Sequence, residues 1–370
     1  MRIVAVETIP IVVPLPTTFR GSKYQMSERA TLITRLHTDE GISGEIYNGD
    51  EVETQVEIAR IVREELFPLI EGRDPLLVDA AWSLMMPVTR DILRDRKLVI
   101  MAMAAVDSAL WDIVGKVAAL PLYRLWGGFR ARVPIIAIGG YYNRSVQQLA
   151  EEVHFYREAG LGGCKMKVGG ATPEEDAKRY LAMREAGGPD FVLMADANQG
   201  YSTAEALRFL ELIGPEAGLR WFEEPVGWEN AALGMRDVRF QGGVPVAAGQ
   251  SELARADARD LMRDGAIDVC NFDASWSGGP SEWRRVAGLA AAYGVEMAHH
   301  EEPQISAHLI ASIEHGTYVE CFHPDRDPLF WSLIANRPDP VDGYYEVPMG
   351  PGWGLELDWD YVDRYRVDGH

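Results

Sequence analysis

The chain has only three cysteines in 370 residues, Cys164, Cys270 and Cys321, and no Cys-x-x-Cys or Cys/His zinc spacing. An odd number of thiols, lying in or beside apolar runs, points to buried free cysteines rather than catalytic or metal-binding ones. No stretch approaches 18 consecutive apolar residues, which argues against a membrane span. The start, Met1-Arg2-Ile3-Val4-Ala5-Val6-Glu7, meets an acid too early for a signal-peptide core. A first strand and a cytoplasmic location are therefore expected. Basic residues are scarce: 36 Lys and Arg stand against 56 Asp and Glu, a net charge of −20. That balance argues against nucleic acid as a partner, because phosphate binding wants a basic face. The glycine-rich dinucleotide fingerprint is missing as well, since Gly162-Gly163, Gly169-Gly170 and Gly278-Gly279 lack its spacing.

What is present is a period. From residue 133 onward apolar strand-like runs recur at Val133–Ile138, Gly163–Val168, Phe191–Ala195, Leu219–Phe222, Pro245–Ala248, Ile267–Phe272, Val295–Ala298 and Thr317–Cys321. Amphipathic stretches such as Val146–Ala159, Pro173–Glu185 and Ser281–Tyr293 lie between them and suit surface helices. Eight strands alternating with helices predict a (β/α)8-type barrel over 126–339. The first 125 residues differ. Ile3–Pro14, Ala30–His37 and Ile42–Ile46 read as an antiparallel meander, and Glu51–Phe67 and Leu98–Val117 as helices. This is an α+β domain, and the tail 340–370, with the acidic and aromatic Trp353–Tyr365, is expected to pack back on it.

In such a barrel the carboxyl ends of the strands hold the active site. The second strand ends in Lys165 and Lys167, which share one face because side chains alternate with period 2. The following ends carry Asp196 and Asn198, then Glu223, then Gln250 and Glu252, then Asp273, then His299-His300, then Glu320. Asp196 and Glu223 are hard oxygen donors suited to Mg²⁺. Residues 196, 223 and 250 are evenly spaced, which makes Gln250 the positional third ligand, with Glu252 as the alternative on the same face. Lys167 is a candidate base whose pKa Lys165, burial and a metal would depress. Asp273 would fix the tautomer of His300 and support it as a general acid/base. Glu320, if protonated, could donate a hydrogen bond to a developing enolate oxygen. Trp221, Phe222, Phe272 and Trp276 read as packing and rim, and Arg326 with Asp327 as a structural ion pair.

This set resembles the enolase superfamily, and within it the mandelate racemase subgroup. Ala105-Val106-Asp107-Ser108-Ala109-Leu110-Trp111-Asp112, Leu125-Trp126-Gly127-Gly128, Lys165-Met166-Lys167 and Ile305-Ser306-Ala307-His308-Leu309 carry the resemblance over nearly the whole length. The last segment selects His300 over His299. The resemblance implies an α/β fold of modified TIM barrel type, (β/α)7β, with an N-terminal α+β capping domain. It also implies one Mg²⁺ and abstraction of the proton α to a substrate carboxylate, giving an enediolate. Lys165 and Asn198 would assist with the carboxylate or the intermediate. The departure is Gln250, where the family usually has Glu. The capping loops Phe19–Tyr24 and Tyr47–Glu51 would set specificity, and their Arg20, Lys23, Tyr24, Tyr47, Asn48 and Asp50 suit sugar hydroxyls. The expected function is dehydration of an acid sugar, with a small-molecule carboxylate as substrate, no nucleic acid or membrane partner, and a homo-oligomeric assembly. Racemisation or epimerisation of a 2-hydroxy acid, and a non-catalytic sugar-acid binding protein, are the alternatives.

Overall fold

A computed structural model of the protein describes residues 1–50 and 52–367. The N-terminal part is a three-stranded antiparallel meander, β1 (Ile3–Arg20), β2 (Gln25–Thr38) and β3 (Ser43–Asn48), in that order. The strands run past the expected boundaries, since β1 and β2 stay paired from Ile3/Thr38 out to Arg20/Gln25. The first expected helix starts at Gln55, and Glu51, where it was expected to begin, lies outside the described residues. It then widens into a π turn at Val62–Leu66 before Phe67–Ile70. Pro68 explains the irregularity, because it has no N–H to return to the carbonyl of Glu64.

The helix Arg96–Ala118 is the longest in the chain, capped by Asp95, whose side chain accepts from the Lys97 N–H. Among the described residues it is the one helix long and apolar enough to cross a membrane, yet 83% of its apolar window is buried by the rest of the chain. Its burial follows from its position between the meander and the barrel. Toward the barrel it presents Asp107, whose carboxylate accepts from the Ser281 N–H and hydroxyl, both at 2.8 Å. Burial pushes that carboxyl up to about 7 despite these bonds. The unfolded carboxyl releases its proton near pH 4, so the native state holds the extra proton between about pH 4 and 7. Stability from this group therefore falls as pH rises through that window. Asp107→Asn is expected to flatten this part of the pH dependence, read by urea unfolding at pH 5 and pH 7.5.

The barrel strands are β4 (Arg132–Gly139), β5 (Gly163–Lys167), β6 (Val192–Asp196), β7 (Leu219–Glu223), β8 (Val246–Ala248), β9 (Val269–Cys270), β10 (Glu296–Met297) and β11 (Val319–Phe322). All eight fall on the runs named above. They pair in parallel in the order β10-β9-β8-β7-β6-β5-β4-β11. The ring closes between β10 and β11 through the Met297–Gly316 bridge and the Thr317 N–H bond to the Met297 carbonyl. A helix follows each of the first seven strands and none of comparable length follows β11, which is the modified (β/α)7β form. The lumen is filled by Ile136, Met194, Trp221, Ala247, Val269 and Ala298, so Trp221 is packing, as expected. A short strand, β12 (Tyr344–Glu346), pairs antiparallel with β4. The tail then reaches the N-terminal sheet: the Val367 N–H bonds to the Pro10 carbonyl, and Ile11 bridges to Arg366.

Candidate active site

Period-2 alternation on β5 sends Lys165 and Lys167 into the barrel while Cys164 and Met166 join the main core. Register then places Lys167 beside Asp196 and Asp196 beside Glu223 on neighbouring strands. Lys167 Nζ donates to Asp196 Oδ2 at 2.7 Å. Lys165 Nζ, fully buried, lies 2.6 Å from Glu223 Oε1 and 2.7 Å from Glu320 Oε1. Asn198 donates its backbone N–H to Asp196 Oδ1 at 2.8 Å, and its own buried Oδ1 has no hydrogen-bond partner.

Above these groups opens a cavity of about 630 Å³. Lys167, Asn198, Gln250 and His300 reach it, whereas Lys165, Asp196, Glu223, Asp273 and Glu320 lie behind its wall. Gly249, at φ +137°, leads Gln250 in; a Cβ there would press on Cys270 Sγ at 3.0 Å and the Phe272 nitrogen at 3.2 Å. Of the two third-ligand candidates, Gln250 lines the cavity and Glu252 does not. Among the described residues, five of the seven non-glycine residues with positive φ, Asn198, Gln199, Glu224, Glu301 and Glu302, stand at these strand ends. Backbone strain concentrated at one place is a mark of a functional site.

On the other side His300 Nδ1 lies 2.9 Å from Asp273 Oδ2, and Nε2 lies 3.2 Å from Glu301 Oε1. Asp273 Oδ1 is fixed by the N–H groups of Ser275 and Trp276. Burial opposes a charged imidazole, but Glu301 and Asp273 outweigh it and hold His300 well above the ordinary value. His299 differs: burial lowers its pKa, and its Nε2 accepts from the Ala274 N–H. It is structural.

Several expectations change here. Lys167 was expected to have a pKa depressed by Lys165, burial and a metal; among the protein's own groups burial does push it down, but the contact with Asp196 outweighs it and raises it. Glu320 was expected as a hydrogen-bond donor; one oxygen faces Lys165 Nζ, and the other accepts the Glu301 N–H at 3.2 Å. Arg326 and Asp327 do not pair with each other, because Asp327 Oδ1 takes Arg29 Nε at 3.3 Å. From the capping loops, Tyr24 and Asp50 line the cavity and Arg20 and Lys23 do not. Tyr47 is core, since β3 continues through Asn48 and turns its ring inward. Asn48 is also buried and bonds the Ser275 hydroxyl at 3.2 Å. Sequence reading missed Glu301, Glu224 and Arg29. The first two adjoin named site residues, a signal that was available; Arg29 gave none.

The donor chemistry suits a hard divalent cation. Asp196 and Glu223 are buried together with Glu320, and burial plus this crowding push the Glu223 carboxyl up to about 8. Carboxylates that repel one another in a dry site are stabilised by a cation between them. Gln250 Oε1 has only a 3.4 Å contact from Asn271 Nδ2, leaving an oxygen available. Asp273, His299 and Glu302 also cluster within 4.8 Å. There, however, Asp273 and His299 are committed as described, and Glu302 bonds the Gly49 N–H and the Ser275 hydroxyl. Burial also raises the Glu302 pKa well above the ordinary range, so that cluster is a hydrogen-bonded network.

Comparison with known proteins gives the family. Residues 4–127 match the N-terminal domain of the mandelate racemase/muconate lactonizing enzymes, and residues 148–361 match the enolase C-terminal domain-like family. The chain is 32% identical over 386 residues to D-galactarolactone cycloisomerase of Agrobacterium fabrum, covering 99% of each. It is 29% identical over 343 residues to arabinonate dehydratase of Saccharolobus solfataricus, covering 90% of each. A mandelate racemase/muconate lactonizing enzyme from a marine actinobacterium, solved in complex with magnesium, is 52% identical with a TM-score of 0.94 and 99% coverage of both chains.

Proposed function

We propose, from the premise that the chain belongs to the mandelate racemase/muconate lactonizing enzyme family of the enolase superfamily, that it dehydrates an acid sugar to a 2-keto-3-deoxy acid. The observation that carries this reading is the placement of Lys167 and His300 in one cavity, on either side of Asp196, Glu223 and Gln250. In this reading residues 1–125 and the tail 340–370 cap a catalytic barrel over 126–339. Asp196, Glu223 and Gln250 would hold Mg²⁺, which supplies a Lewis acid against the charge that builds on a carboxylate as its α-proton leaves.

The remaining chemistry belongs to the side chains. Lys167 Nζ takes the proton from C2. As a base Lys167 must be neutral, and Asp196, the partner that keeps it charged, is the residue a cation would claim. His300, held protonated by Asp273 and Glu301, gives its proton to the departing C3 hydroxyl. Lys165 and Asn198 steady the carboxylate end. Without a leaving group at C3, the same two groups on opposite sides would racemise or epimerise the acid.

The test is formation of a 2-keto-3-deoxy acid, read as its semicarbazone, from a panel of aldonic and aldaric acids. Chelator-treated protein should give none and added Mg²⁺ should restore it. Metal-independent product, or none with any acid, would sink the reading. Gln250 leaves the cation one formal charge short of a three-carboxylate site, and ligand charge sets affinity. Gln250→Glu should therefore tighten Mg²⁺ about 10-fold by calorimetry.

A further inference from the structure

We infer that Arg326 is the receptor for a second carboxylate, at the far end of the substrate from the one beside the metal ligands, so that the cavity is built for diacids. Two buried arginines stand near the cavity. Arg29 is saturated by Asp50, Glu301 and Asp327. Arg326 is 1% exposed and lines the cavity, yet its Nε and Nη1 have no hydrogen-bond partner and none of the ion pairs among the described residues involves it. A buried guanidinium whose donors go unmatched calls for a partner from outside the chain. Its face rests on Phe322, 4.4 Å from Cζ to the ring centroid. That contact fixes the plane and leaves the in-plane N–H groups to bind a planar carboxylate.

The ring of strands gives the direction. Asp196, Glu223 and Gln250 stand at the ends of β6, β7 and β8, and β11 lies four strands from β7, opposite it. Arg326 follows β11. Lys167, the last residue of β5, and His300, after β10, fall on the two flanks between. A chain with a carboxylate at each end would span from the metal side to Arg326 with its C2 and C3 between the two bases. The rest of the wall sharpens this assignment. Glu28, Asp50, Glu53, Glu224 and Glu301 all line the cavity, so a second anionic group is disfavoured except at a cation without an internal partner. The relatives named above include an aldonate enzyme and one acting on the lactone of a diacid, so family membership does not decide between one carboxylate and two.

This inference rests on the acid-sugar reading, and the experiment separates the two. Mg²⁺-loaded wild type, Arg326→Met and Arg326→Lys would be titrated calorimetrically with stereochemically matched aldarates, aldonates and 6-phosphoaldonates. Proton exchange at C2 would be followed in parallel by NMR, and circular dichroism would check the fold. Wild type should prefer an aldarate over its aldonate by about 10- to 100-fold, Arg326→Met should lose that preference, and Arg326→Lys should keep part of it. Equal affinities in the wild type, a preference unchanged in Arg326→Met, or loss of both ligands alike in a folded variant would overturn it. So would a preference for the phosphorylated monoacid over the diacid. A diacid preference without exchange at C2 would overturn the dehydration reading alone; exchange without the preference would overturn this inference alone.

Discussion

His300→Asn should lower turnover by about 10²- to 10⁴-fold while leaving substrate affinity within about threefold, measured as kcat and KM on the best acid of the panel. The size follows from what His300 alone provides. Its Nε2 reaches the cavity side, and its Nδ1 is held at 2.9 Å by Asp273, itself fixed by two backbone N–H groups. Asparagine fills similar space and can bond Asp273, but it can neither accept nor deliver a proton in the working pH range. Affinity should survive because the carboxylate end of the substrate is held elsewhere. The pH dependence has a sign. Glu301 and Asp273 keep the imidazole charged well above its ordinary range. A step that needs the imidazolium should therefore continue through neutral pH and fall only on the alkaline side. A fall in activity as pH rises from 6 to 7.5 would contradict the acid role, whereas a fall on acidification reports on Lys167, which must be neutral to act as the base.

Arg29→Leu should cost about 3–5 kcal/mol of stability, the loss expected when one member of a buried ion network is removed. Arg29 lies on β2 and binds Asp50 of the N-terminal part, Glu301 after β10 and Asp327 after β11, at 3.0, 3.0 and 3.3 Å. It thereby ties the N-terminal sheet to both loops that carry His300 and Arg326. Without it three buried or partly buried carboxylates face one another. Burial raises the Glu301 carboxyl, but His300 and Arg29 outweigh that and hold it well below the usual range. A depressed carboxyl contributes stability above its unfolded value, near pH 4.3, and loses it as pH falls through the folded value. The gap between wild type and Arg29→Leu in urea unfolding should thus be largest at neutral pH and narrow on acidification. A gap that is independent of pH would mean that packing, not charge, is what the leucine disturbs.

Much of this was legible because it is periodic or local. Strands buried on both faces read as continuous apolar runs, and each of the eight begins within a few residues of where the runs placed it. Lys165 and Lys167 could be put on one face by alternation alone, and Asp273 with His300 by their place at neighbouring strand ends. Tyr47 was misread because the strand signal at Ile42–Ile46 stopped two residues short of the end of β3. What the sequence could not disclose is the charge pairing across distance. Arg29 meets Asp327 at a separation of 298 residues, and no local pattern links them. The rise in the Lys167 pKa was missed for the same reason: the sequence reading weighed only effects that depress it, and the 2.7 Å contact with Asp196 that raises it is a contact between strands. Arg326 was assigned a neighbour in sequence, Asp327, that in space belongs to another arginine.

The central claim is that Lys167 and His300 act in one cavity on one substrate, Lys167 taking the C2 proton and His300 delivering a proton to the C3 hydroxyl. A ¹H NMR time course in D₂O tests it most directly, with Mg²⁺-loaded protein and the aldonic and aldaric panel. The account predicts loss of the C2 and C3 signals of at least one acid, with the signals of a 2-keto-3-deoxy product appearing at the same rate. Exchange of the C2 proton for deuterium without loss of water would contradict dehydration and leave racemisation. No change in any acid, with Mg²⁺ bound, would contradict the claim itself.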